Sequence, residues 1–172
     1  LRAKSASYRH QQTPMIEIAF WFFAALVLYV YAGYPALLYL YSRAVPALKY
    51  RLLDELPQVT VLISAFNEED CIAEKLENSL SLDYPKELLE IIVISDQSSD
   101  RTDEIVAGYA DRGVRLLRME ERGGKTLGLN AGVAESSGDF VVFSDANAMY
   151  HTHAIRALIA PFSDPNVGAV VG

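Results

Sequence analysis

Apolar residues are distributed along this chain in two different ways. Between Ile18 and Tyr41 they form a run of 24 residues without a charge, whereas after residue 57 they form short runs separated by amphipathic segments. A charge-free run of this length predicts one long apolar helix. The short runs and the segments between them predict strands that alternate with helices. The pattern therefore divides the chain into a helical N-terminal part and an α/β domain.

Five apolar runs predict the strands of the domain, at 59–63, 90–95, 114–119, 140–143 and 167–171. Phe140–Phe143 is apolar without interruption, which is typical of a strand buried on both faces. Helices are expected around Ile72, Leu76 and Leu80, over 102–109, through Leu129 and Val133, and over 151–162. The predicted fold class is α/β, with a mostly parallel sheet, helices on both of its faces, and a transmembrane helix before it.

The N-terminal apolar run is long enough to cross a bilayer. Its 24 residues would span about 36 Å as a helix, against roughly 30 Å of hydrocarbon. Trp21 and Tyr41 lie near its ends, where aromatic rings favour the membrane interface. Gly33 and Pro35 are expected to bend or interrupt the helix. The alternative, a buried helix of a soluble domain, is disfavoured because such a helix normally carries a polar stripe.

The N-terminal part and the α/β domain also differ in net charge. Residues 1–53 carry six Lys and Arg against one acidic residue, a net charge of +5, whereas residues 54–172 carry a net charge of −12, and the whole chain −7. An acidic domain of this kind is a poor candidate for binding nucleic acid, which needs basic stripes to neutralise phosphates. Basic residues flank the apolar run on both sides, so the local charges do not predict its orientation.

The only cysteine and two of the histidines are interpreted as structural. Cys71 excludes an intrachain disulfide and favours a reducing compartment. It lies at the start of a predicted helix, where a thiol can become reactive, but no matched base accompanies it. His151 and His153 are one residue apart at a helix start and would not face each other, so surface or capping roles are favoured over zinc binding.

Polar residues follow each of the first four predicted strands at its carboxyl end. Taken singly, Asn67, Asp96 and Asp100 are candidate helix caps, Gly123 and Gly124 an ordinary turn, and Lys125 a solvated side chain. Parallel strands, however, end at the same edge of a sheet, where open α/β folds bind ligands. The coincidence of four clusters favours a ligand site formed by Asn67 and Glu68, Asp96, Gly124 and Lys125, and Asp145 and Asn147.

The chemistry of these side chains suits a nucleotide diphosphate with a divalent cation. Asp145 and Asn147 offer oxygen ligands, and substrate phosphates typically complete such a shell. Asp96 can accept an N–H from a base or a hydroxyl from a ribose, and Lys125 can balance phosphate charge. A P-loop is excluded because Met119 occupies the position of its first glycine, and no G-x-G-x-x-G follows the first strand.

Four stretches carry a family resemblance: VTVLISAFNEE, EIIVISDQSSDRT, RGGKTLGLNAGVAESSGDFVVFSDAN and FSDPNVGAVVG. In this order and spacing they resemble the family 2 glycosyltransferases, the membrane-linked group that contains cellulose, chitin and hyaluronan synthases and many bacterial polysaccharide synthases. The resemblance covers residues 57–172. It implies the nucleotide-sugar-binding GT-A fold, Mg²⁺ or Mn²⁺ as cofactor, and transfer with inversion in a single displacement.

The resemblance also implies roles for individual residues. Glu68 and Asp96 match positions that hold the nucleoside, with Asp96 on the base, and Lys125 matches a lysine near the nucleotide. Asp145 and Asn147 match the metal-binding Asp-x-Asp motif. The complete expected nucleotide-sugar-binding set is Phe66, Asn67, Glu68, Asp96, Gly124, Lys125, Asn130 and Asp145.

Two positions depart from the family pattern. Ser95 stands where many members have the first aspartate of an Asp-Asp pair, and Asn147 replaces the second aspartate of Asp-x-Asp, so the metal site has lost a charge. The family's catalytic base is a carboxylate in the second half of the domain, so we expect it after Gly172. The sequence, which starts at Leu1, is therefore expected to be an inactive N-terminal part of a synthase.

The expected organisation is an N-terminal flank at 1–15, a transmembrane helix at 16–42, a juxtamembrane linker at 43–57 and a donor-binding half-domain at 58–172. The expected function is transfer of a sugar, from a UDP-sugar by preference, to a glycan or lipid-linked acceptor in polysaccharide biosynthesis. The domain would face the cytoplasm at a bacterial inner membrane, with synthase subunits as further candidate partners. The alternative is a non-catalytic nucleotide-sugar-binding membrane protein with a regulatory or assembly role.

Overall fold

The computed structural model describes residues 2–45, 50 and 55–172. Lys49 and Arg51, together with most of the predicted linker at 43–57, lie outside the described residues. The chain forms two compact units, Leu1–Lys49 and Tyr50–Gly172, each of which is described by itself.

The first unit is helical and is interrupted where the sequence predicts. Helix α1 (Arg2–Leu28) passes into a π-helical turn at Tyr29–Gly33, and helix α2 (Tyr34–Ala44) follows with Pro35 in its first turn. Proline lacks an N–H and its ring clashes with the carbonyl four residues earlier, so the widened turn accommodates it. The span Pro14–Ala44 has a mean hydropathy of 2.0, enough by length and composition to cross a membrane.

The second unit is built on a parallel four-stranded sheet with the order β3-β2-β1-β4. The strands are β1 (Val59–Ala65), β2 (Leu89–Ser95), β3 (Val114–Arg118) and β4 (Phe140–Asp145). The helices are α3 (Ile72–Leu80), α4 (Thr102–Ala107), α5 (Gly124–Glu135) and α6 (Ala154–Ile159). Short 3₁₀ turns lie at Lys86–Leu88, Ala110–Arg112 and Ala160–Ser163.

Helices cover both faces of the sheet, which confirms the predicted fold class. On one face, Ile72 and Leu76 of α3, Val106 of α4 and Ile155 of α6 join one buried apolar cluster. On the other face, Leu62, Ile92 and Ile94 form a smaller cluster against which Leu129 of α5 packs. Alternate side chains of β1 and β2 join the two clusters, so most residues of these central strands are buried.

The predicted fifth strand is wrong. Residues 167–171 have no strand conformation, and Val171 is 95% exposed. A strand needs a neighbouring backbone ladder to satisfy its hydrogen bonds, and within residues 55–172 no such ladder is offered to this segment.

Two further predictions are corrected. Strand β4 forms, but as an edge strand rather than one buried on both faces, and Phe143 is 55% exposed. Helix α6 begins at Ala154 instead of 151 and gives way to a 3₁₀ turn at Ala160. Pro161 accounts for that end, since it cannot donate a backbone hydrogen bond to continue the α-helix.

Candidate functional site

The carboxyl ends of β1, β2 and β4 meet the N-terminus of α5 around an open pocket of about 280 Å³. The pocket therefore lies at the sheet edge where parallel α/β folds bind ligands. Seven predicted site residues line it: Phe66, Glu68, Asp96, Gly124, Lys125, Asp145 and Asn147. The sequence analysis did not single out the remaining lining residues, which are Ser64, Ala65, Ile94, Gly128 and Ala146.

Asp96 fixes the glycine turn that begins α5. Its Oδ1 accepts a hydrogen bond from the Gly123 amide at 2.8 Å and its Oδ2 accepts one from the Gly124 amide at 2.9 Å. Gly124 has φ +77°, a conformation that a residue with a side chain rarely adopts. The carboxylate thus satisfies two free N–H groups at the positive end of the helix dipole. This arrangement holds Lys125, the next residue, at the pocket.

Helix α5 also lies unusually close to the sheet. A Cβ on Gly132 would come within 2.5 Å of Ile94 Cδ1, and one on Gly128 within 3.0 Å of Ile94 Cγ2. Two glycines one turn apart therefore let the helix backbone settle onto β2. Their spacing fixes the height of the helix above the sheet, and with it the position of the pocket wall.

Lys125 and Asp145 form an ion pair across the pocket, with the lysine Nζ donating to Asp145 Oδ1. The Ser64 hydroxyl also lies 3.5 Å from that oxygen. Contact with Lys125 is the main cause that lowers the pKa of Asp145, and Ser64 and the charge of Lys75 act in the same direction. Asp145 is therefore held ionised, and its side chain is 55% exposed toward solvent.

The residues at the end of β4 and just after it alternate between the pocket and the interior. Asp145 and Asn147 are exposed and line the pocket, whereas Ala146 between them is buried. Within the described residues there is no group of three His, Cys, Asp or Glu side chains that would hold a metal ion. One carboxylate and one amide oxygen suit a divalent cation whose remaining ligands are phosphate and water oxygens. The donor set therefore fits Mg²⁺ or Mn²⁺ shared with a diphosphate.

Phe66 and Glu68 line the pocket at the end of β1. The Arg122 guanidinium lies 3.9 Å from the centroid of the Phe66 ring, in a cation–π contact. Glu68 Oε2 lies 3.1 Å from Cys71 Sγ. Burial, followed by the hydrogen bond with Glu68, raises the pKa of Cys71 to about 11. The thiol is thus protonated at neutral pH, as its structural interpretation requires.

Two predicted residues do not line the pocket. Asn67 has φ 55° and its Oδ1 accepts a hydrogen bond from the Ser99 amide at 2.8 Å, which ties the loops after β1 and β2 together. Asn130 is exposed on α5. Asp100, considered as a cap, accepts a hydrogen bond from the Thr102 amide at 3.0 Å at the start of α4.

The two histidines lie at the surface beside one carboxylate. His153 Nδ1 is 3.0 Å from Asp83 Oδ2, and Arg156 Nε donates to the same oxygen at 3.1 Å. The hydrogen bond from Arg156 is the main cause that lowers the pKa of Asp83, and the bond from His153 adds to it. The His151 ring contacts that of His153, with centroids 5.6 Å apart.

Lys75 was not singled out from the sequence, yet it contacts the loop that carries Asn147. It is fully buried, and its Nζ donates to the Ala148 carbonyl at 2.5 Å. A signal was present in the sequence: position 75 lies three residues after Ile72 and four before Ser79, on the buried face of α3. A lysine on an apolar helix face indicates an internal partner.

The sequence of residues 60–172 matches the family described as Glycosyl transferase family 2. The chain belongs to glycosyltransferase family 2. The resemblance drawn from the motifs is confirmed, and the site lies within the matched residues.

Two curated relatives of this family 2 chain come from bacteria. It is 38% identical over 138 residues to the probable glycosyltransferase YdaM of Bacillus subtilis, a match that covers 77% of this chain and 33% of that protein. It is 37% identical over 122 residues to the poly-beta-1,6-N-acetyl-D-glucosamine synthase of Staphylococcus aureus, covering 70% of this chain and 29% of the synthase. The chain thus spans about a third of the length of these relatives.

Solved structures of related proteins contain nucleotide sugars. The mannosyltransferase PcManGT of Pyrobaculum calidifontis, in complex with GDP-Man and Mn²⁺, matches with a TM-score of 0.72 and 29% identity over 84% of this chain and 44% of its own. TarS residues 1–349 of S. aureus, in complex with UDP-GlcNAc, match with a TM-score of 0.56 and 27% identity over 59% of this chain and 31% of that one. These similarities confirm the GT-A-like fold.

Proposed function

We propose that this chain is the donor-binding part of a membrane-bound inverting glycosyltransferase that moves a sugar from a UDP-sugar to a glycan or lipid-linked acceptor. The observation that carries the proposal is the convergence of Asp96, Lys125, Asp145 and Asn147 on one pocket at the carboxyl edge of the sheet. A carboxylate and an amide oxygen with a lysine opposite suit a metal-bridged diphosphate, whose phosphate oxygens would complete the shell of the metal.

Each group has a role in this proposal. Asp145 and Asn147 hold Mg²⁺ or Mn²⁺, which when bound would neutralise charge on the departing diphosphate. Lys125 exchanges its contact with Asp145 for a phosphate oxygen. Asp96 already accepts two backbone N–H groups, and because a carboxylate has about four acceptor positions it can still accept an N–H of the base.

The two solved neighbours carry different bases. TarS was solved with UDP-GlcNAc and PcManGT with GDP-Man, so the proposal of uridine over guanosine needs a direct comparison of UDP with GDP. Sequence identity to the poly-beta-1,6-N-acetyl-D-glucosamine synthase supports a glycan product and a role in polysaccharide biosynthesis. The catalytic base that deprotonates the acceptor is proposed to lie outside residues 1–172.

Calorimetry on the full-length protein in detergent tests the donor site. We expect UDP to bind at least tenfold more tightly with MnCl₂ than with excess EDTA, and more tightly than GDP under the same conditions. Equal affinities with and without the metal would contradict the metal site, whereas tighter binding of GDP would contradict only the choice of base. Asn147→Asp provides a variant with a second carboxylate at the same position.

We also propose that residues 16–42 span a bacterial inner membrane with the catalytic domain in the cytoplasm, where UDP-sugars are made. The support is the apolar span Pro14–Ala44 and the exposure of its aromatic side chains, such as Phe20, Trp21 and Phe22. Fused after residue 57, a reporter enzyme that functions only in the cytoplasm should be active, and one that functions only in the periplasm should be inactive. Activity of a periplasm-dependent reporter at that position would contradict the orientation.

A second candidate is a non-catalytic nucleotide-sugar-binding membrane protein with a regulatory or assembly role. Asn147 favours it, because the site retains a single carboxylate for the metal. A radiolabelled transfer assay with the full-length protein separates the two functions. Donor binding without transfer or donor hydrolysis would support the second candidate.

A further inference from the structure

Lys75 has a long cationic side chain that is completely buried within the glycosyltransferase domain. Its relative exposure is 0%, and it is among the largest fully buried side chains of the described residues. Lysines are almost never fully buried unless they are paired, because burial removes the hydration of the ammonium group. Its partners therefore need to be identified.

The ammonium group of Lys75 contacts the loop that follows β4. Its Nζ donates to the Ala148 carbonyl at 2.5 Å and lies 4.0 Å from the centroid of the Tyr150 ring. None of the ion pairs formed by the described residues includes Lys75. Burial lowers the pKa of Lys75 to about 8, although the charge of Asp145 acts in the opposite direction.

Asn78, nearly one turn further along α3, holds the same loop at a second point. Its Nδ2 donates to the Tyr150 carbonyl at 2.9 Å, and the Tyr150 amide donates to its Oδ1 at 2.8 Å. The Tyr150 hydroxyl in turn donates to the Phe143 carbonyl at 3.2 Å. Two neighbouring side chains of α3 thus fix the backbone of residues 148–150.

This attachment lies immediately beyond the residues assigned to the metal. Ala146 is buried, and the exposed side chains of Asp145 and Asn147 on either side of it line the pocket. If the backbone at Ala148 moved, Asn147 would lose its fixed direction first, because it is the adjacent residue. The anchors on α3 therefore hold the backbone that directly follows the two oxygen ligands.

We propose that Lys75 is a positioning residue for the donor site, which together with Asn78 anchors residues 146–150 so that Asp145 and Asn147 present their oxygens to one cation. This inference rests on the proposed function, because it concerns the site at which the metal and diphosphate would bind. Lys75 itself does not line the pocket and contacts no proposed ligand.

A purely structural role of Lys75 predicts that its removal lowers the stability of the protein. A positioning role predicts weaker donor binding without a loss of stability. Burying a charge without an ion-pair partner is costly, and an apolar side chain of similar length removes that cost of desolvation. Lys75→Met keeps the length of the side chain but removes the donor to Ala148. We therefore expect this variant to melt at or above the wild-type temperature while its donor site becomes less ordered.

The test combines hydrogen exchange with metal titration on the full-length protein in detergent. We expect amide exchange in peptides covering 146–150 to be faster by about tenfold in Lys75→Met and in Asn78→Ala, without metal or nucleotide present. We also expect the affinity for UDP in saturating MnCl₂ to fall by about tenfold in both variants. Lys75→Arg should recover part of the affinity, and Lys86→Met, at an exposed lysine, should match the wild type.

The outcomes separate this inference from the proposed function. Unchanged exchange at 146–150 in Lys75→Met would overturn the inference, whatever the nucleotide affinity. Tighter Mn²⁺ binding in Lys75→Met with no effect in Asn78→Ala would also overturn it, since it would show that only the charge matters. Faster exchange in both variants, combined with no binding of UDP and Mn²⁺ to the wild type, would support the anchor and contradict the proposed function.

Discussion

Lys125 and Asp145 neutralise each other across the pocket: the lysine Nζ donates to the carboxylate oxygen that faces the site. In the proposed function, Lys125 binds a phosphate of the donor and Asp145 binds the cation. The pair therefore competes with both halves of a metal–diphosphate ligand. A ligand that carries both charges can replace the two contacts together, whereas a cation alone must displace the lysine.

Lys125→Met separates these two effects. Without the lysine, Asp145 is free of its competing partner, so we expect Mn²⁺ alone to bind several-fold more tightly than in the wild type. UDP in saturating Mn²⁺ should instead bind about tenfold more weakly, a loss of about 1.4 kcal/mol, because the phosphate has lost its cation. Electron paramagnetic resonance of free Mn²⁺ and calorimetry with UDP measure the two affinities.

Lys86→Met is the matched control, since this lysine is exposed in a 3₁₀ turn and does not line the pocket. Weaker binding of both Mn²⁺ and UDP in Lys125→Met would mean that the lysine supports the acidic site instead of competing for it.

Asp145 should matter far more for transfer than Asn147. Asp145→Asn removes the single carboxylate of the proposed metal site, so we expect the rate of transfer by the full-length enzyme to fall on the order of a thousandfold, equivalent to several kcal/mol. Asn147→Ala removes a neutral ligand and should be milder. Asn147→Asp should tighten the metal and leave the rate unchanged or raise it. The measurement is a metal titration of transfer rate with thermal melts alongside.

A simple capping role makes a different prediction for the same variants. It expects each substitution to cost about 1 kcal/mol of stability with little change in transfer. Transfer by Asp145→Asn at the wild-type rate would therefore overturn the assignment of the metal site.

Local pattern was sufficient to predict β1, β2 and the pocket-lining edge, because both central strands are mostly apolar and are followed by polar residues. It failed at 167–171, where a run of the same kind forms no strand. The difference is not local, since a strand depends on a neighbour that offers hydrogen bonds, and β4 is at the edge of the described sheet. Periodicity alone does not contain that information.

The site shows the same limit. The predicted strand ends were sufficient to place Asp96, Lys125 and Asp145 at one edge of the sheet. They did not predict the contacts that these residues make. That Asp96 holds the amides of Gly123 and Gly124 depends on the closeness of α5 to β2, which is a tertiary property. Lys75 was overlooked because charged residues in amphipathic helices normally face solvent.

Gly132→Ala should disturb the pocket by displacing α5 from the sheet. The added methyl group would lie 2.5 Å from Ile94 Cδ1 and 3.1 Å from Leu62 Cδ1, both in the buried cluster under α5. Such overpacking typically costs about 1–3 kcal/mol. We expect a lower melting temperature and weaker UDP binding, because α5 begins at the pocket. Gly168→Ala is the control, since a Cβ there would meet nothing within 4 Å.

If Gly132→Ala lowered the melting temperature but left the affinity for UDP unchanged, the height of α5 above the sheet would not determine the pocket. If neither quantity changed, Ile94 would have enough freedom to move aside.

The stability of the protein should depend on the ionisation of Lys75. Burial lowers its pKa to about 8 in the folded state, from 10.5 for an ordinary lysine. Between these two values the unfolded chain binds more protons at this position than the folded one, so the free energy of unfolding rises with pH. Below about pH 8 both states are protonated and the buried charge imposes its full cost.

Comparison with Lys75→Met isolates this contribution, because all other titrating groups, Asp145 included, are common to both proteins. From pH 7.5 to 10.5 we expect the wild type to gain up to about 3 kcal/mol of stability relative to the variant. Melting temperatures of the full-length protein in EDTA measure the difference at each pH. A difference in melting temperature between the two proteins that stays constant to pH 10 would show that the folded state does not disfavour the charged lysine. Water would then have to reach the Lys75 ammonium group next to residues 146–150.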